Sequence, residues 1–364
     1  MTLIDRYLSR LWVSNFFIVS AFSVGLILIQ ETYNYFVDIM RAQLNLLQIA
    51  EFFLLSITEA LPIIIPFGFF VSIIFTVIEL QKTEQITILK SCGLSLFRIS
   101  LPFWLIGGLL CLFTFLLSVY LIPQVSDVRN HYIKLCTGSV HGLERQNETS
   151  TLTFENHKSN RLWYIEQFDA YALKGRHSIL HQMNQVGVEI SRILAESSAY
   201  DKDLETWTFS NGTELIFDPM TGDPLQLISF ESKQFIKLEE DPEDFMLFDK
   251  AIKDLSPNEI KKILSLIEEG TPQKQAYLSA YYRFFSTPLL SLVYVGITLP
   301  FLTRGVRSNS LIHAAYPIGL FIAFFALRGL FAALGQHLLL PALVSALLPF
   351  GLFFLLAFKL YWKE

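Results

Sequence analysis

The chain has 364 residues, is 52% hydrophobic with 33 Phe, and has a mean hydropathy of +0.44. That composition excludes a disordered chain and argues against a wholly soluble one. The net charge of −5 is uneven: between Pro123 and Arg283 there are 25 acids against 17 Lys and Arg, with no basic stripe of the kind nucleic acid requires.

Six apolar segments, at 11–30, 52–78, 99–126, 284–303, 308–327 and 338–358, are interrupted by a single acid or base, Glu59. A helix needs about 20 such residues to cross the hydrocarbon core, so each is expected to span a membrane. The first is too long for a signal-peptide core and lacks a small-residue cleavage site, which reads as a retained span. Segment 80–98, between the second and third spans, is too short for a domain and too polar for lipid. Ile86, Leu89 and Gly93 fit one face of a short helix there. Lys and Arg concentrate on one side of the spans: Arg6, Arg10, Lys82, Lys90, Arg98, Arg304, Arg307, Lys359 and Lys363, against Arg41 opposite and Arg328 ending the fifth span. This bias predicts cytoplasmic termini and an outer location for the large insert.

Within the insert, strand-like runs at 149–155, 161–168, 189–199, 206–209, 213–217 and 225–238 alternate with turn residues such as Asn211-Gly212 and 219–224. They suggest a small sandwich or jelly roll. Ser256-Pro257-Asn258-Glu259 then carries the N-cap, N1 and N3 residues of a helix start. The expected fold is an α+β membrane protein: six transmembrane helices with a large extracytoplasmic β-jelly-roll-like domain between helices three and four. The expected division is 1–126 for spans one to three with coupling segment 80–98, 127–255 for the outer domain, 256–275 for a connecting helix, and 276–364 for the last three spans.

Chemistry of its own is missing. There is no phosphate-cradling loop, no His-Glu-x-x-His and no Gly-x-Ser-x-Gly. His131, His141, His157, His177 and His181 have no metal-site spacing, and Cys92, Cys111 and Cys136 form no disulfide framework. Asn147-Glu148-Thr149 fits a glycosylation tripeptide that chance also supplies. A non-enzymatic membrane subunit is expected, with no cofactor and no metal.

Several short motifs occur in one order: Asp5-Arg6-Tyr7, Phe36-Val37-Asp38, the segment from Gln85 to Gly93, Pro123-Gln124, Leu255 to Ile260, Tyr282-Arg283 with Pro288-Leu289, and Leu340-Pro341-Ala342 with Leu348-Pro349. Together they resemble the LptF/LptG family of lipopolysaccharide export permeases, and the last pair looks more like LptG. The resemblance covers nearly the whole chain. It implies a bacterial inner-membrane permease beside an LptF-like second permease, with an LptB-like ATPase dimer below and an LptC/LptA-like periplasmic bridge above. It implies coupling through Glu84, Gln85, Ile86, Leu89, Lys90 and Gly93. The family's coupling glutamate is Gln85 here, with Glu84 beside it. A lysine common before Phe-Val-Asp is Tyr35, and Arg41 is what remains of the bases after it. Lipid A phosphates need cations at the outer interface, and Arg41, Arg129, Arg283 and Arg328 are the candidates. An LptF role, export of another amphiphile, and a membrane sensor or scaffold with a ligand-binding outer domain remain the alternatives.

Overall fold

The computed structural model describes residues 3–42, 44–138, 148–156, 159–169, 172–202, 204, 206–235, 238, 240–267, 269–302 and 310–362. Arg304, Arg307, Lys363, His141, His157, Asn147 and the Cys136 side chain lie outside what is described. In chain order come α1 (Leu3–Arg41), α2 (Leu46–Lys82), α3 (Gln85–Ser91), α4 (Leu96–Leu116), a π turn (Leu117–Leu121) and α5 (Ile122–Gly138). The insert follows, with β1 (Glu148–Asn156), β2 (Arg161–Asp169), β3 (Lys174–Met183), β4 (Glu189–Asp201), β5 (Thr206–Phe217), β6 (Pro224–Phe235), α6 (Pro242–Asp249) and α7 (Pro257–Leu266). The chain closes with α8 (Pro272–Ser286), a 3-10 turn (Thr287–Leu289), α9 (Leu290–Leu302), α10 (Ser310–Gln336) and α11 (Ala342–Trp362). Two compact units result: Met1–Thr137 with Leu278–Glu364, and Gly138–Tyr277.

The first unit is helical because lipid offers the backbone no partner, so each apolar segment must close its own hydrogen bonds. Six of its helical segments are long and apolar enough to cross a membrane. The third span outruns the sequence expectation: α4, the π turn and α5 form one continuous rod to Gly138. Pro123 explains the turn. Its ring lacks an N–H and crowds the carbonyl four residues back, and the helix widens there instead of breaking. One extra residue rotates everything beyond it by about 100°, which sets the direction in which Arg129 leaves α5.

Packing centres on α2 and α9, where Phe69, Ile73, Val295 and Ile297 are fully buried. Small residues allow the close approach that association in lipid relies on. A Cβ on Gly107 would meet the Phe69 ring at 3.2 Å and Val295 at 3.3 Å, and one on Gly296 would meet Ala357 at 2.8 Å.

In the second unit the insert, expected as a small sandwich or jelly roll, takes the form of one antiparallel six-stranded sheet, each strand paired with the next. Its inner face packs Trp163, Ile165, Phe168, Trp207 and Phe209 against Phe245 of α6. The pairing ladder skips one position in every neighbouring pair, and the skipped residues line up across the sheet: Thr151, Glu166, His177, Glu196, Asn211 and Glu231. His177 and Asn211 take positive φ values of 48° and 51° there. The sheet is therefore creased along one line. Asn211-Gly212, expected as a turn, lies on that crease inside β5 and joins the two expected segments into one strand. Asn tolerates the left-handed region, and Gly212 leaves room for the Phe230 ring, which a Cβ would meet at 2.7 Å. The strand β3 has no counterpart among the expected segments.

At α7, Ser256 Oγ accepts from the Glu259 N–H at 3.2 Å, and the Glu259 carboxylate accepts from the Ser256 N–H at 2.7 Å. The reciprocal cap expected from the sequence is present.

Glu240 is 1% exposed and accepts from Asn156 Nδ2 and Ser159 Oγ, both at 2.8 Å, while Arg161 Nη1 pairs with it at 3.1 Å. Its backbone carbonyl receives the Trp207 indole N–H at 2.9 Å. Removing one partner of a buried ion pair costs about 3–5 kcal/mol. Glu240→Ala in the full chain is expected to open the insert to limited proteolysis while the spans stay protected; unchanged digestion would contradict this.

Candidate functional site

The segment between the second and third spans is built by two left-handed residues. Glu84 at φ 56° closes α2 and starts α3, and Gly93 at φ 81° ends α3, with its N–H donating to the Lys90 carbonyl at 3.0 Å. The result is a two-turn helix held on one side. Ile86 is 5% exposed within the cluster of Val77, Leu80 and Ile99, and Leu89 packs on the same cluster. Ile86 and Leu89 therefore anchor α3 to the spans, and the outward stripe is Glu84, Ile88 and Ser91. Gln85 and Lys90 are half-buried. Ile88, 57% exposed, was missed by sequence reasoning. Its signal was its place one turn beyond Glu84.

The four candidate arginines fall in different surroundings. Arg41 ends α1 and is exposed. Arg129 is 6% exposed, and every nitrogen of its guanidinium is engaged. Nε donates to Ser56 Oγ at 3.0 Å, Nη2 to Glu31 at 2.8 Å, and Nη1 lies 3.0 Å from Glu59. The rings of Tyr35 and Phe52 flank it at 5.7 and 5.8 Å. Here the tyrosine at position 35 lies against a guanidinium that two carboxylates hold. Sequence marked Glu59 as the one charge inside an apolar span, but its cation arrives from α5 and is shared with Glu31 of α1.

Arg283 and Arg328 are brought together. Arg328 is half-buried near the end of α10; its Nη2 donates to Thr287 Oγ1 at 3.3 Å and its Cζ lies 5.8 Å from the Phe350 ring. Arg283 is exposed on α8, one turn before the Thr287 that Arg328 contacts. Among the described residues, no carboxylate pairs with Arg41, Arg283 or Arg328.

Two of the described histidines pair with a nearby carboxylate. His177 meets Glu166 at 3.1 Å, and His181 meets Glu189 at 2.7 Å. Burial opposes the charge on Glu189, yet hydrogen bonds from Arg192 and His181 outweigh it and hold the carboxyl below its usual range. No metal-holding cluster occurs among the described residues.

No curated protein matches the chain. A protein family does: the one described as lipopolysaccharide export system permease LptF/LptG matches residues 6–363, nearly the whole length. With six candidate spans flanking one antiparallel sheet domain, the chain belongs to the LptF/LptG family of lipopolysaccharide export permeases.

Proposed function

We propose that the chain is an LptG-like permease subunit of an ATP-driven exporter that lifts lipopolysaccharide out of the bacterial inner membrane. Both termini and α3 face the cytoplasm, and the sheet domain faces the periplasm. The reading rests on the family match, the basic bias at the termini side, and the lack of any nucleotide-binding loop. An LptB-like ATPase dimer engages α3, an LptF-like permease completes the cavity, and an LptC/LptA-like bridge receives the lipid. The LptG-like assignment rests on Leu340-Pro341-Ala342 with Leu348-Pro349.

The observation that carries the substrate reading is the placement of Arg283 and Arg328 about Thr287, with no carboxylate paired to either among the described residues. A lipid A phosphate supplies the missing negative charge, and the surrounding apolar helices suit acyl chains. Arg41 adds a third cation, an exposed one. Arg129, already held by two carboxylates, is left out of the phosphate set and given a positioning role. Photoreactive residues at 283 and 328 are expected to crosslink to lipopolysaccharide. A charge-assisted hydrogen bond contributes about 1.5–3 kcal/mol, so each single Ala variant should lose roughly tenfold in lipid transfer and the double variant far more. A double variant that transfers lipid normally would place the phosphates elsewhere.

The ATPase contact has its own test. The purified chain is expected to hydrolyse no ATP alone and to co-purify with a soluble ATPase. Glu84 stands in the outward stripe of α3 and Gln85 is half-buried. Losing one partner of a desolvated charge pair costs about 2–5 kcal/mol. Glu84→Ala should therefore release the ATPase in pull-downs more than Gln85→Ala does, and the reverse order would assign the contact to Gln85.

A further inference from the structure

The first three spans are tied to one another by side chains at three levels. At the termini end, Arg98 in the first turn of α4 grips Asp5 of α1 with both arms, Nη1–Oδ1 at 2.8 Å and Nη2–Oδ2 at 3.1 Å. Asp5 is 8% exposed. Midway, the Trp12 indole donates to Ser72 Oγ at 2.7 Å and Asn15 Nδ2 to Thr76 Oγ1 at 3.1 Å, both joining α1 to α2. At the end of the 41–46 loop, Arg129 of α5 holds Glu31 of α1 together with Ser56 and Glu59 of α2. The helix α3 lies in the chain between α2 and α4, and its exit leads within five residues from Gly93 to Arg98.

The face that α9 turns toward these spans is different in kind. It approaches through Val295 against Gly107 and through the Phe70–Tyr294 ring contact at 5.1 Å. Ser291 and Thr298, one helical turn on either side of Val295, are fully buried, yet among the described residues their hydroxyls have no hydrogen-bond partner; the Trp104 indole N–H on α4 and the Ser9 and Ser20 hydroxyls on α1 are in the same condition. An unmade buried hydrogen bond is unfavourable and marks a contact that another packing would satisfy.

We propose that spans one to three move as one rigid lever across the face of α9, and that Arg98 and Arg129 are the positioning residues that lock it. This rests on the reading of α3 as the ATPase contact. A push on α3 passes through the Arg98–Asp5 pair into α1 and arrives, undiminished by bending, at the opposite end where Arg129 clamps α1 to α2. The orphaned hydroxyls of α9 lie along the sliding face, and a shift of the lever brings acceptors on α4 or α2 within their reach. Packed interfaces of this kind have discrete positions and do not deform continuously.

The complete transporter in lipid vesicles tests the lever, with ATP hydrolysis and lipopolysaccharide release measured side by side. In Arg98→Ala, lipid released per ATP is expected to fall about tenfold, within the range usual for coupling between distant sites. The exchanged pair Asp5→Arg with Arg98→Asp is expected to recover most of it. Fewer assembled complexes with an unchanged ratio would mean a merely structural role and would overturn the proposal. A second measurement is independent of transport. Spin labels on α1 and α5 should report one narrow distance with and without nucleotide, labels on α4 and α9 should report a change, and Arg129→Ala should broaden the first. A wild-type complex that releases no lipid sinks the functional reading alone. Distances within the lever that vary freely in the wild type, or stay narrow in both arginine variants, sink the lever.

Discussion

Hydrocarbon solvates neither a peptide group nor a charge, and the helical unit follows from that single deficit. Backbone groups must be satisfied within each segment, so the apolar stretches are helices. A carboxylate within them must meet a cation, so Glu59 of α2 and Glu31 of α1 both meet Arg129 of α5. The cost of leaving any one of these unpaired fixes how three helices approach at that end. The same deficit gives glycine its place. Where side chains gain little from leaving lipid, contact must come from backbones drawn close, as at Gly107 and Gly296.

The bundle handles its arginines in two ways. Asp5–Arg98 and the Arg129 network neutralise their arginines within the chain. Arg328 is left with a hydroxyl and an aromatic ring, and Arg283 has no paired carboxylate among the described residues. An arginine with internal carboxylates has little attraction to spare for a ligand, whereas one without them gains when an anion arrives. This contrast sorts four residues that sequence alone treats as equivalent.

Sequence showed the spans, the insert, the short helix at 85–91 and the Ser256 cap, because each rests on a local pattern of adequate length. It did not show β3. That strand contributes mainly Gly175, Ser178 and Leu180 to the interior, a weak alternation, and Gly175 is required because a Cβ would meet Ser198 Oγ at 2.6 Å. Nor did it show that Asn211-Gly212 lies within a strand, since the residues that permit a turn also permit a crease. The partners of Arg129 and the meeting of Arg283 with Arg328 were illegible for another reason: they depend on helix rotation. The π turn before Pro123 changes that rotation by one residue without a mark in the apolar pattern.

The crease in the sheet works as a ruler as well as a bend. Because Glu166, His177, Glu196, Asn211 and Glu231 fall opposite one another, every strand is measured from the same line. Strands can lengthen or shorten at their outer ends, where the turns absorb the difference. A residue gained or lost between the line and the interior would slide one strand's crease past its neighbours' and turn its inward side chains outward. Length variation in this domain is thus confined to its margins, and the interior between Trp163 and Phe209 is held to a fixed count.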